Sequence, residues 1–65
     1  LVQKIIDIVG ISEESFAKAA QDAVTVAGKT VRGMKWARVK ELECKIEEDR
    51  ISEYRTTMSI YFDIE

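Results

Sequence analysis

The sequence predicts an α+β fold: a β-α-β-β chain whose three strands form one antiparallel sheet packed on one long helix. Three observations carry this reading. The C-terminal stretch ISEYRTTMSIYFDIE alternates apolar and polar residues, the period of a strand with one covered face. The stretch ISEESFAKAAQDAVTVAGKTVRG places apolar residues three and four apart, the period of a helix. Runs rich in β-branched residues stand on both sides of that helix, and the chain has no proline to interrupt them.

The first strand is LVQKIIDIVG, about eight residues ending at Gly10. Ile6 and Ile8 lie on one side and Ile5 and Val9 on the other, so both faces are expected to be covered. Ser12 is the expected helix N-cap, because its hydroxyl can accept from a free amide of the first turn. Glu13 and Glu14 follow, where negative charge suits the helix dipole. Phe16, Ala20, Ala23, Ala27 and Val31 form the apolar stripe. Its small alanines allow close approach to a sheet. Lys29 and Arg32 suit the C-terminal end, Gly33 is the expected stop, and Gly28 weakens the last turns.

The second strand is KWARVKELECKIEE. Its apolar positions are Ala37 and Val39, then Leu42, Cys44 and Ile46, so parity changes near Lys40 and Glu41, and a bulge is expected there. EEDR makes the turn. In the third strand Tyr54, Thr56, Met58, Ile60, Phe62 and Ile64 face one way. A right-handed crossover makes the first two strands parallel; with the third strand between them the sheet is antiparallel throughout. The face carrying Arg55, Thr57 and Tyr61 then has no helix to cover it and meets water or a neighbouring subunit.

Sixty-five residues make one small domain, and a lone core of that size is marginal. The single cysteine, Cys44, excludes an internal disulfide, and the absence of histidine leaves no zinc spacing. Oligomerisation is therefore the expected way to bury more surface. A net charge of −2 with mixed signs argues against nucleic-acid binding. No apolar run approaches a membrane span. The lone cysteine and lack of a leader-like segment suit a reducing cytoplasm. A chain beginning at Leu1 is expected to have lost its initiator methionine.

No acid, base and nucleophile constellation is visible, so an enzyme is disfavoured and no catalytic residue is assigned. Glu47, Glu48 and Asp49 read as a solvated hairpin turn rather than a metal site. Cys44, with no partner to activate it, reads as a packing residue. Arg38, Lys40 and Lys45 form a basic row interrupted by Glu41 and Glu43, which suits a solvated or inter-subunit face. A hairpin centred on Asp49 and Arg50 sets Cys44 opposite Arg55. Trp36 is then eight residues further along, ~26 Å at a strand's rise. One chain's Trp36 and Arg55 are not expected to grip one ligand, so a shared site would draw on different subunits.

Three segments, VGISEESFAKAAQDAV, GKTVRGMKWARVKE and EYRTTMSIYFDIE, together resemble the dodecins, small flavin-binding proteins, over nearly the whole chain, residues 1–65. The resemblance implies a hollow homo-dodecamer with flavin held between subunits and stacked on Trp36. An indole stacks well on a flat flavin ring, and it can donate an electron to the excited ring, which quenches it without net chemistry. The implied role is flavin storage or sequestration.

Two positions depart from the family pattern. Arg55 stands where dodecins carry a glutamine that hydrogen-bonds the flavin's polar edge. Arginine keeps donors but has no acceptor. Asp63 stands where FMN-preferring members carry a basic residue, and its charge repels a phosphate. The resemblance therefore implies riboflavin or lumichrome over FMN, with Glu41 meeting the ribityl hydroxyls. The expected flavin-binding residues are Trp36, Arg55 and Glu41. The alternative is an assembly of the same fold that binds no flavin and is structural or holds a divalent cation such as calcium, because some cation-binding dodecin-like members carry arginine at the Arg55 position, although they lack the tryptophan.

Overall fold

The computed structural model describes residues 1–65 and has the expected element order: β1 (Gln3–Ser12), α1 (Phe16–Ala27), β2 (Met34–Glu47) and β3 (Arg50–Asp63). The sheet order is β1-β3-β2, with β3 antiparallel to both neighbours. The helix packs on β1 and β3 and leaves most of β2 uncovered.

β1 does not end at Gly10. Gly10, Ile11 and Ser12 continue the ladder opposite Thr56, Arg55 and Tyr54. Gly10 instead sets how closely the helix approaches, because a Cβ there would sit inside the carbonyl of Ala19. Ala19 is fully buried at this contact.

The N-cap is Ser15, not Ser12. Its Oγ accepts from the Lys18 amide at 2.9 Å, as an N-cap does for the third residue of the helix. Ser12 still belongs to the strand, and its Oγ accepts from the Glu14 amide at 3.0 Å. Glu13 and Glu14 thus lie in the turn before the helix and not in its first turn.

The helix is also shorter than the apolar spacing suggests. It ends at Ala27, and the Gly28 amide donates to Val24 O at 2.9 Å. Val31 lies beyond the end, and Arg32 Nη1 donates to Gly28 O at 2.8 Å, so its charge does meet the last carbonyls. Gly33 serves the strand that follows. Its φ of 77° turns the chain into β2, and its carbonyl accepts from the Asp63 amide.

The bulge expected near Lys40 and Glu41 is present as a register shift between Val39 and Glu41. Further shifts lie between Met34 and Trp36 and between Lys45 and Ile46. The turn is centred on Glu48 and Asp49, one residue earlier than expected, with Glu47 opposite Arg50. Glu43, not Cys44, therefore faces Arg55.

Ala19, Met58 and Ile60 are the buried apolar residues. Phe16 and Tyr54 meet edge to face at 5.0 Å, and buried Thr56 donates its hydroxyl to Phe16 O at 2.9 Å. Ile5, Val9 and Ile11 stay about half exposed, so within one chain the outer face of β1 is not covered as expected. The two ends of the chain meet where the Val2 amide donates to Glu65 O at 2.8 Å.

Candidate functional site

Residues directly opposite one another in an antiparallel pair share a face. The β2 residues Trp36, Arg38, Glu41 and Glu43 stand opposite Tyr61, Ser59, Thr57 and Arg55, and so occupy the face away from the helix. Trp36 and Arg38 have even numbers and Glu41 and Glu43 odd ones. The bulge at Lys40 is what keeps all four on one side.

Trp36 lies on the edge strand and is 70% exposed. It also borders a cavity of about 230 Å³ with Val24, Met34, Ala37 and Ile60. Across the sheet the register gives the row Ile5, Tyr61, Trp36. Tyr61 is the neighbour that sequence reasoning did not connect to Trp36. The alternation of β3 placed it on the right face, but only the register sets it beside the indole.

Glu41 lies four β3 positions from Trp36, ~13 Å along the strand, and Arg55 lies six positions away, ~20 Å. This replaces the longer separation expected from a turn at Asp49 and Arg50. The three candidate residues therefore share a face and are not gathered within one chain. Arg55 Nε donates to Glu53 Oε1 at 3.0 Å, with Glu43 opposite. The guanidinium is thus already held by a carboxylate. Asp63, on the same face beyond Tyr61, accepts from Gln3 Nε2 at 2.8 Å.

A polar tie joining Lys40 and Ser59 to Asp7 was also not foreseen. Lys40, the bulge residue, reaches over the sheet to Asp7 Oδ2 at 2.9 Å, and Ser59 donates to Asp7 Oδ1 at 2.7 Å. The Ser59 hydroxyl, then the Lys40 ammonium, hold the Asp7 carboxyl below its ordinary value. At the turn, Glu47 is likewise held below its ordinary value by the Ser52 hydroxyl and then by Lys45. No group of three or more Cys, Asp or Glu side chains is gathered as a cation site within the chain. No helix is long and apolar enough to cross a membrane.

The exposed indole stands beside Tyr61, with Glu41 and Arg55 along the same face.

Comparison with known proteins matches the Dodecin family model to residues 2–65. A dodecin of Thermus thermophilus is 38% identical over 64 residues, covering 98% of this chain and 93% of that protein. The crystal structure of an arginine-to-alanine variant of a T. thermophilus dodecin superposes with a TM-score of 0.93 at 38% identity, covering 98% of this chain and 96% of that one. A dodecin from Streptomyces coelicolor gives a TM-score of 0.94 at 25% identity, covering 98% and 91%. A Mycobacterium tuberculosis protein, described as a calcium-chelating antigen and calcium dodecin, gives 0.84 at 33% identity, covering 100% and 93%. A match of this extent, carried by family model, sequence and fold together, places the chain in the dodecin family.

Proposed function

We propose that this protein stores or sequesters flavin, without catalysing a reaction, as a homo-dodecamer that stacks riboflavin or lumichrome on Trp36 at subunit interfaces and quenches it. The observation that carries the reading is Trp36 itself. The largest side chain in the protein stands 70% exposed at a sheet edge, where its own core makes little use of it. Stacking a flavin there buries both flat faces, and aromatic pairing adds about 0.5–1.5 kcal/mol beyond that burial. Glu41 suits the ribityl hydroxyls as an acceptor. Asp63, fixed by Gln3, puts negative charge on the face where a phosphate would arrive and so disfavours FMN. Arg55 supplies donors only, and in the free chain Glu53 occupies it.

The second reading is a dodecin-fold assembly without flavin, structural or calcium-holding. The Arg55–Glu53 pair favours it, because a guanidinium drawn to a carboxylate of its own strand can close a pocket instead of greeting a ligand. A fluorescence titration separates the two. Riboflavin and lumichrome are expected to be quenched saturably, more tightly than FMN, and Trp36→Ala is expected to abolish the effect. Absence of quenching at tens of micromolar protein, where ligands bound with about −6 to −7 kcal/mol still register, would overturn the flavin reading. A calcium titration by calorimetry would then decide whether the assembly holds the ion.

A further inference from the structure

Between Val39 and Leu42 the second strand holds one residue more than its partner. Val39 stands opposite Met58 and Leu42 opposite Thr56, which leaves Thr57 to face both Lys40 and Glu41. A bulge sets two residues against one and leaves one of them out of the ladder. The apolar pattern does not decide which. Val39 and Leu42 keep the helix side whether Lys40 or Glu41 pairs with Thr57, so the two registers place the same apolar groups. Yet Glu41 holds that position and Lys40 is displaced.

The displaced side chain has a fixed destination. Lys40 Nζ crosses β3 and donates to Asp7 Oδ2 at 2.9 Å. Ser59 donates to the other oxygen of that carboxylate at 2.7 Å and is buried, although its face has no helix over it. As the bulged residue, Lys40 lies between the rows of Met58 and Thr57, on the side of Asp7. In the other register it would stand in the row of Thr57 and Val9, further from that carboxylate. An exposed ion pair adds little to the stability of a whole fold. A small bias is enough here, because the competing registers do not differ in their apolar pattern.

We propose that Asp7 is a positioning residue: by holding Lys40 out of the ladder it selects the register that presents Glu41, and not Lys40, opposite Thr57 on the face of Trp36. The consequence for ligands rests on the flavin reading. Glu41 offers a carboxylate to a ribityl chain, whereas the other register would offer an ammonium. Lumichrome has the ring and no ribityl chain, so it is blind to the difference.

The experiment is a crystal structure of Asp7→Asn, with riboflavin and lumichrome titrated against the variant and wild type. Asparagine keeps an acceptor for Ser59 and removes the charge that holds Lys40. Lys40 is expected to compete for the position opposite Thr57. Riboflavin is expected to bind about tenfold more weakly, and lumichrome to change by less than about twofold. Lys40→Gln breaks the same tie from its other end and is expected to shift the ligands alike, which keeps the test open if Asp7→Asn does not fold. Glu41 alone opposite Thr57 in the variants would overturn the proposal whatever the ligand. So would equal weakening of riboflavin and lumichrome, the mark of general damage to the sheet. If wild type binds neither flavin, the flavin reading fails, and the register found in the variants alone decides the role of Asp7.

Discussion

At Asp7 three strands are tied by side chains alone: its carboxylate receives Ser59 from β3 and Lys40 from β2. Because the folded carboxyl lies below its ordinary value of 3.8, this tie stabilises the fold above that pH and is lost as pH falls through the lowered value. Glu47 acts in the same direction below its ordinary 4.5. Asp7→Asn is expected to flatten the fall in urea stability between about pH 5 and pH 3, measured against wild type. A steep, unchanged fall would assign the acid sensitivity elsewhere. Arg55→Gln is the matching test on ligand binding. An amide supplies the acceptor that a flavin ring N–H needs, so riboflavin is expected to bind about tenfold tighter. Weaker binding would make the guanidinium a direct ligand. The sequence showed, from the change in parity between Val39 and Leu42, that a bulge was needed near Lys40 and Glu41. It could not show that Lys40, displaced by that bulge, would cross to Asp7, because such a tie depends on where β1 lies in the sheet.

Among the elements, the hairpin carries avoidable strain. Glu48 and Asp49 adopt φ values of 52° and 64°, the left-handed region that suits Asn-Gly in a two-residue turn. Replacing them together, Glu48→Asn with Asp49→Gly, is expected to stabilise the fold by about 1 kcal/mol, read as a higher urea midpoint. No change would mean that the surroundings already absorb the strain. The same elements show what a sequence can reveal. The alternation of β3 was legible because Thr56, Met58 and Ile60 are packed by the helix on one side. The helix boundaries were less so. SEES offers two serines three residues apart, and the cap goes to the second because sheet pairing holds Ser12 in β1. Gly28 likewise ends the helix that apolar spacing would carry to Val31. The turn was displaced by one residue because EEDR contains no glycine to mark its centre.

For the whole molecule, only seven of 65 residues are buried, too few for a chain that stands alone. The extents of 48 × 20 × 13 Å describe a slab rather than a sphere. Stability is therefore expected to come with assembly and to depend on concentration. Diluting the protein a hundredfold should lower its thermal midpoint, followed by circular dichroism. A midpoint independent of concentration, together with a monomeric mass, would show that the slab holds itself together. The family was legible because three segments in order span the chain. The candidate site was not, because Trp36 and Arg55 lie ~20 Å apart along one sheet, and residue order does not show which residues of a second copy would come to face them.

The clasp between Val2 and Glu65 has a consequence for protein engineering. Anything fused before Leu1 leaves the fold beside anything fused after Glu65, so two cargoes can be carried side by side from one point on each subunit. A short linker across the same gap would permit circular permutation, with new ends cut at Glu48 and Asp49, where the backbone is exposed and already strained.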